Sequence, residues 1–214
     1  METAFREAKI QNKDYKEMQK IIRDHLISSL ELKQKLLESA PVLEAIEKSA
    51  MAIISAYRNK KKLLLAGNGG SAADAQHLAA ELVGRFSFDR PGLNAIALTT
   101  DTSILTSVGN DSGFEKVFAR QADALGTEGD VFIALSTSGN SVNLIEALKI
   151  CRTRKIISIG LTGQTGGKMA NMCDICIKVP SSNTPRIQEV HILIGHIICS
   201  IVEEELFGSH KSAG

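Results

Sequence analysis

Hydrophobic and polar residues follow two patterns along the chain, and the patterns meet near residue 61. Before that point, apolar residues recur at intervals of three and four over residues 15–39 and 41–59, which predicts two amphipathic helices and no strand. The second helix starts at Pro41, and proline is favoured in the first turn of a helix. Helices with apolar stripes need a surface to cover them, and we expect a partner subunit to provide it.

From Lys61 onward, short apolar runs alternate with segments of helical periodicity. The runs are apolar on both sides, which is typical of strands in a parallel sheet with helices on each face. Five strands are predicted, at KLLLAG (62–67), LNAIALTT (93–100), DVFIALST (130–137), IISIGLTG (156–163) and CDICIKVP (173–180). Helical segments are predicted over residues 71–85, 102–110, 141–154, 168–172 and 186–206.

Composition narrows the class of protein without identifying it. The 214 residues are 43% hydrophobic and 23% charged, as in a globular domain with a sizeable core. A net charge of +1 without a basic block gives no reason to expect nucleic acid or a membrane surface as a partner. The most apolar stretch, residues 190–202, is shorter than the roughly 20 residues of a membrane span, so it predicts a buried helix.

The cysteines and the N-terminal segment favour a cytoplasmic protein. All four cysteines lie in apolar surroundings, which is typical of reduced thiols, and residues 1–20 are charged throughout, unlike a signal peptide. Cys173 and Cys176 form one C-x-x-C motif. A zinc or redox function for it is the less favoured alternative, because the segment alternates like a strand and a second pair is missing.

Two glycine- and hydroxyl-rich junctions follow predicted strands, where open parallel sheets bind their ligands. AGNGGSA, residues 66–72, lets the backbone approach a ligand and opens a helix whose free N–H groups favour an anion. A dinucleotide fingerprint is disfavoured there, because no acidic residue ends a second strand about 20 residues later. A third junction, LTGQTGGK at 161–168, is less dense and predicts a turn.

The second junction, LSTSGNSVN at residues 135–143, concentrates hydroxyl groups at the start of a helix. Neutral hydroxyls and helix N–H groups together form a cradle for a phosphate monoester. Helix capping is the alternative, but capping explains only one of the four. The candidate phosphate ligands are Ser136, Thr137, Ser138 and Ser141.

Titratable side chains lie on two of the predicted helices. His77 and Glu81 are four residues apart and therefore share a helix face. His196 lies in the apolar segment ILIGHIIC, where its ring nitrogens need partners. From the residues alone, these groups form either structural pairs or a metal or catalytic site.

Four segments together resemble the sedoheptulose 7-phosphate isomerases of the sugar-isomerase (SIS) domain family: GNGGSAADAQHLAAEL, TTDTSILTSVGND, STSGNS and RIQEVHILIGH. The resemblance covers nearly the whole chain. It implies an α/β fold, flavodoxin-like and three-layered, with a five-stranded parallel sheet flanked by helices. It further implies an N-terminal helical extension used in oligomer packing, residues 1–60, and a SIS phosphosugar-binding domain, residues 61–214. The family forms homotetramers with active sites between subunits.

The resemblance also implies roles for individual residues. Glu81 and His196 match the catalytic pair, and the zinc ligands would be His77, Glu81, Gln188 and His196. The substrate would contact the glycine loop, the VGND segment, the hydroxyl cradle and nearby side chains. These residues are Asn68, Gly69, Gly70, Ser71, Glu81, Arg85, Asn110, Asp111, Ser136, Thr137, Ser138, Ser141 and Gln188.

The implied reaction converts sedoheptulose 7-phosphate to D-glycero-D-manno-heptose 7-phosphate through an enediol, the first step of bacterial nucleotide-activated heptose biosynthesis. A carboxylate moves the proton between C1 and C2, an imidazole serves the oxygens, and zinc polarises the carbonyl. The alternative is a non-catalytic SIS-domain tetramer that binds a protein partner such as the replication initiator. That relative lacks the residues matching Glu81 and His196, so this chain favours the enzyme.

Overall fold

The computed structural model describes the backbone of residues 2–208 and the side chains of residues 15–208. Two ends of the predicted domains lie outside the described residues: Met1, which begins the predicted extension, and residues 209–214, which end the predicted SIS domain. The helices are α1 (Glu2–Leu37), α2 (Ala40–Arg58), α3 (Gly70–Val83), α4 (Thr102–Ser112), α5 (Val117–Leu125), α6 (Val142–Arg154) and α7 (Thr184–Phe207). The strands are β1 (Leu63–Gly67), β2 (Ala95–Ala97), β3 (Val131–Ser136), β4 (Ile157–Thr162) and β5 (Ile175–Lys178).

The five strands form one parallel sheet in the order β2-β1-β3-β4-β5, which confirms the predicted fold class. Successive side chains of a strand point to opposite faces, so Leu63 and Leu65 join one hydrophobic cluster while Leu64 joins the other. The first cluster contains residues of α2, α3 and α7, and the second contains residues of α5 and α6. Helices therefore cover both faces, as the apolar strands require.

Helix α5 is absent from the predicted elements. It has only nine residues, fewer than the window over which hydrophobic periodicity identifies a helix, and its buried face includes the polar Gln121. The Gln121 amide is satisfied because it donates to the backbone oxygens of Leu98 and Val117. The predicted helical segment at 168–172 is a 3₁₀ turn, Gly167–Asn171.

Helix α1 covers only part of its apolar surface within the chain. Leu32 and Leu36 are buried in the first cluster. A row of larger apolar side chains stays exposed, made of Met18, Ile21, Ile22, Leu26, Ile27 and Leu30. Among the described residues, no helix combines the length and the apolar character that crossing a membrane requires.

Helices α3 and α7 run side by side in the same direction along one face of the sheet, in contact at three levels. At their starts, a Cβ placed on Gly70 would lie 2.5 Å from the Gln188 side-chain nitrogen. At the middle level, Gly195 faces Leu78, where a Cβ would lie 2.5 Å from a Leu78 methyl group. At the far end, Glu203 binds the loop that follows α3. Gly195 allows the close approach that brings side chains of both helices together.

Candidate active site

The candidate site lies at the carboxyl ends of β1 and β3. These strands are neighbours in the sheet, although the next strand along the chain after β1 is β2. Helix α3 follows β1 onto one face, whereas α6 follows β3 onto the other. A crevice at such a reversal of strand order is where open α/β sheets bind ligands.

A cluster of three titratable side chains, His77, Glu81 and His196, lies at the middle level of the α3–α7 interface. The Nε2 atoms of His77 and His196 are 2.9 Å apart, and His77 Nε2 lies 3.2 Å from Glu81 Oε1. The side chains of His77 and Glu81 are 50% and 25% exposed, so the cluster is open to solvent on one side. The structure thus brings together residues that are up to 119 positions apart.

The geometry of this cluster directs several lone pairs to one place. Two imidazole nitrogens at hydrogen-bonding distance cannot both carry a proton toward each other, so one of them presents a lone pair to the other. Glu81 Oε1 adds a carboxylate lone pair beside the same His77 nitrogen. Three potential ligand atoms therefore converge on one small volume.

The donor set fits a divalent metal ion. One ligand atom from each of His77, Glu81 and His196 lies within 4.8 Å of the other two. Ligands about 2.0–2.1 Å from a tetrahedral zinc ion are about 3.3 Å from each other, which is close to the separations of 2.9 and 3.2 Å in the cluster. Imidazole and carboxylate donors are ones that zinc accepts.

Asp74, one turn before His77, provides a second observation in favour of a cation. Its Oδ2 atom is buried and has no hydrogen-bond partner among the described residues. Burial raises the pKa of the Asp74 carboxyl, while the His77 and His196 imidazoles act to lower it. A positive charge at the cluster would compensate this buried oxygen.

Gln188 lies near the cluster but at a different level of the interface. Its amide packs on Gly70 at the start of α3, whereas His196 is eight residues, or roughly 12 Å, further along α7. The structure therefore places Gln188 beside the glycine loop. Ser71 is buried in the first turn of α3, and Arg85 is exposed just beyond the end of α3.

The hydroxyl cradle, residues 136–141, forms the loop between β3 and α6. Ser141 occupies the N-cap position of α6 but makes no capping bond; its hydroxyl instead pairs with that of Ser136 at 2.9 Å. The Ser138 hydroxyl accepts a bond from the Asn140 N–H, and Thr137 is half-buried. At the start of α6, the Leu144 N–H donates to the Asn143 side-chain oxygen, whereas the N-cap residue Ser141 leaves its hydroxyl beside the other hydroxyls of the cradle.

The loop after β4, predicted only as a turn, packs against the cradle and holds its shape. Gly139 adopts a positive φ of 65°, and a Cβ there would lie 2.1 Å from the Gly166 oxygen. The Asn140 side-chain oxygen accepts a bond from the backbone N–H of Lys168. The backbone N–H of Gly163 donates to the backbone oxygen of Thr137. This support escaped sequence reasoning because glycines in contact leave no pattern that joins distant positions.

A reciprocal amide pair links the two halves of the crevice. Asn68 of the glycine loop donates to the Asn143 side-chain oxygen at 3.0 Å, and Asn143 donates back to Asn68 at 2.8 Å. Asn143 is buried in the first turn of α6 and was not among the predicted site residues. Asn68 is predicted to contact the sugar, but its amide already makes two hydrogen bonds that fix the glycine loop to the start of α6.

Asn110 and Asp111 are carried by α4, which follows β2 along the chain. They form the last turn of α4, where the Asn110 amide donates to the Asp111 carboxylate. Asp111 lines an open surface cavity of about 550 Å³ together with Lys116 and Arg120. None of their hydrogen bonds joins them to the three-residue cluster or to the cradle.

The C-x-x-C alternative gains no support from the structure. Cys176 lies in β5, as the alternating pattern predicts, and all four cysteines are free. Burial raises the pKa of the Cys173 and Cys176 thiols. Among the described side chains, the group that could hold a metal includes no cysteine.

Comparison with known proteins identifies the family. A SIS domain profile matches residues 30–163. Phosphoheptose isomerase 2 of Campylobacter jejuni is 60% identical over 187 residues, which cover 87% of this chain and 93% of that protein. Phosphoheptose isomerase of Aneurinibacillus thermoaerophilus is 60% identical over 190 residues, which cover 89% of this chain and 96% of that protein.

A solved structure gives the same result. Phosphoheptose isomerase from Neisseria gonorrhoeae superposes with a TM-score of 0.82 at 44% identity, covering 87% of this chain and 99% of that chain. The chain therefore belongs to the SIS-domain family and, within it, to the phosphoheptose isomerases.

Proposed function

We propose that this protein isomerises sedoheptulose 7-phosphate to D-glycero-D-manno-heptose 7-phosphate, the first step of heptose biosynthesis. The observation that carries the proposal is that the side chains of His77, Glu81 and His196 converge on one small volume, while a cradle of hydroxyls follows β3, the strand next to β1 in the sheet. A carboxylate and imidazoles beside a phosphate site are the groups that a phosphosugar isomerase needs.

Glu81 is the proposed base. Its carboxylate takes the proton from C1 of the ketose, the electron pair forms the C1–C2 double bond, and the C2 oxygen gains a proton to give the enediol. Glu81 then returns its proton to C2, while the oxygen on C1 loses its proton and becomes the aldehyde. His196 serves these oxygens as acid and base, so atoms and electrons balance and no redox cofactor is required.

Zinc is the proposed metal, held by His77, Glu81 and His196, with Gln188 as the fourth ligand inferred from the family resemblance. When bound, such an ion polarises the substrate carbonyl and stabilises negative charge on oxygen. The convergent donor atoms and the uncompensated Asp74 oxygen support this assignment.

The cradle is proposed to hold the phosphate through the hydroxyls of Ser136, Thr137, Ser138 and Ser141 and the N–H groups that open α6. The sugar would lie along the glycine loop, beside Asn68, Gly69, Gly70, Ser71, Arg85 and Gln188. Asn110 and Asp111, in the last turn of α4, are proposed to contact the sugar as the family resemblance implies.

A homotetramer with active sites between subunits is the proposed assembly. The exposed apolar row of α1 supports it, since such a row needs cover, and the extension at residues 1–60 would supply that contact. Reduced thiols and a charged phosphosugar substrate support a cytoplasmic location. Light scattering on the eluting protein tests the assembly, and a monomer at micromolar concentration would contradict it.

The decisive experiment incubates the purified protein with sedoheptulose 7-phosphate, with and without added zinc, and follows the aldose by NMR. We expect turnover in the wild type and a loss of roughly 100-fold or more in Glu81→Gln. Glu128→Gln is the matched control, because Glu128 is 69% exposed and forms only a surface pair with Lys155. A folded tetramer that shows no turnover with any metal would refute the enzyme and favour the non-catalytic, partner-binding alternative.

A further inference from the structure

A buried ion pair lies beside the cluster, although the proposed chemistry does not use it. Arg90 and Glu203 are each 1% exposed at the side chain, and Arg90 Nε donates to Glu203 Oε1 at 2.9 Å. Glu203 also accepts the backbone N–H groups of Phe86 and Ser87, at 2.8 and 2.7 Å. The loop that follows α3 is thereby fastened to α7.

Arg90 also caps the end of α3. The last carbonyls of a helix have no partner within it, and a cation there satisfies them and interacts favourably with the helix dipole. Arg90 Nη2 donates to the backbone oxygen of Glu81 at 2.9 Å, and Nη1 donates to that of Leu82 at 2.8 Å. Glu81 lies only two residues before the last residue of α3, in the part of a helix that frays most readily.

The same loop reaches His196 on the neighbouring helix. The backbone N–H of Phe86 donates to Glu203. The ring of the same residue lies 5.6 Å from the His196 ring, measured between centroids. Glu203 itself is seven residues after His196, roughly 10 Å further along the same face of α7. One ion pair therefore restrains the backbone of Glu81 and the aromatic neighbour of His196.

We propose that Arg90 and Glu203 are positioning residues that hold Glu81 and His196 in register for metal binding and proton transfer. This inference rests on the proposed function of the cluster. A role in stability alone is the competing explanation, because breaking any buried ion pair destabilises a fold.

A second buried pair provides the control that separates the two explanations. Asp130 is 1% exposed at its side chain, pairs with Lys62, and also accepts the N–H groups of Lys62 and Thr127. Its carboxylate therefore has the same kind of partners as Glu203. Asp130 precedes β3, however, at the amino edge of the sheet and away from the crevice.

The experiment compares Glu203→Gln, Arg90→Lys and Asp130→Asn with the wild-type full-length protein. Zinc dissociation constants are measured by competition with a chelator, together with kcat, KM, melting temperature and hydrogen exchange of residues 78–83. Arg90→Lys keeps the charge but cannot span both carbonyls and Glu203, so it remains informative if Glu203→Gln fails to fold.

We expect zinc to bind roughly 10- to 100-fold more weakly in Glu203→Gln and Arg90→Lys. Their kcat falls while KM stays near wild type, and exchange at residues 78–83 becomes faster. In Asp130→Asn the melting temperature falls, but zinc affinity and exchange at these residues are unchanged. Equal zinc affinity in all four proteins, or an equal loss in Asp130→Asn, would refute the inference.

Failure of the proposed function gives a different result. In that case the wild type itself shows neither zinc binding nor turnover. The exchange measurement still decides the positioning role, because it reports on the last turn of α3 without metal or substrate. Unchanged exchange in Glu203→Gln and Arg90→Lys would then refute it.

Discussion

The two halves of the proposed site are built in different ways. The proposed catalytic half, formed by His77, Glu81 and His196, is carried by the helices α3 and α7. The proposed phosphate half, residues 136–141, is a loop whose shape depends on backbone contacts with the loop after β4. Helices fix side chains along a rigid axis, whereas a loop presents hydroxyls and N–H groups that surround an anion. Reactive groups and binding groups thus impose different demands on the fold.

The largest expected effect comes from breaking the catalytic half alone. His196→Gln removes the imidazole that faces His77, so kcat falls roughly 100- to 10,000-fold. The KM for the phosphosugar changes little, because the phosphate half is intact. Steady-state kinetics check this, with Gln76→Ala on the exposed side of α3 as control. A KM that rises in parallel with the loss of kcat would show that the halves do not act separately.

Breaking the phosphate half is expected to reverse the kinetic pattern. In Gly139→Ala the new methyl group meets the Gly166 oxygen, and the positive φ costs about 1–3 kcal/mol for a residue other than glycine. We expect KM to rise at least tenfold and thermal protection by inorganic phosphate to disappear. Glu128→Gln is again the control, because Glu128 is 69% exposed and forms a surface pair with Lys155. Retained phosphate protection would contradict the assignment of the cradle.

A smaller effect is expected from separating α3 and α7 without touching either half. Gly195→Ala places a methyl group against Leu78, and such overpacking costs about 1–3 kcal/mol. We expect weaker zinc binding with unchanged phosphate protection. Adding Leu78→Val makes room and should restore part of the zinc affinity. A double variant that binds zinc no better than Gly195→Ala would show that the helix spacing is not the cause.

The smallest effect on the crevice is expected from protonating Asp130, which lies at the amino edge of the sheet. Burial raises the pKa of the Asp130 carboxyl, but bonds from Lys62 and Thr127 outweigh it and hold that pKa below its usual value. A lowered pKa stabilises the fold above the unfolded pKa, and the stabilisation is lost as pH falls through the folded pKa. Melting temperatures from pH 7 to pH 3 should therefore fall less steeply in Asp130→Asn. Parallel curves would contradict this assignment.

The two halves also differ in how far the sequence predicts them. The cradle is one contiguous segment of the chain, STSGNS, so its hydroxyls and the helix start beside them can be recognised without knowledge of the tertiary structure. His77 and Glu81 share a face by helix periodicity. Their meeting with His196 depends on how α7 packs beside α3, which follows from the family resemblance and not from local pattern.

The fold shows the same division. Strands that are apolar on both faces predict a parallel sheet, and all five occur where the runs lie. Helix α5 escapes prediction because it is only nine residues long, too short for a periodic pattern to identify it. Asn143, Arg90 and Glu203 escape as well, since an isolated polar residue in a sequence does not reveal that its partner is distant.

The amide pair between Asn68 and Asn143 fixes the distance between the glycine loop and the start of α6. Each amide is bonded twice to the other, so the glycine loop cannot slide relative to the start of α6. In the proposed complex, the phosphate is anchored at one end and the reacting carbons are fixed at the other. A sugar phosphate with fewer carbons would reach the cradle yet leave its carbonyl short of Glu81. In the proposed complex, the span of the scaffold would therefore select chain length in addition to the residues that contact the sugar.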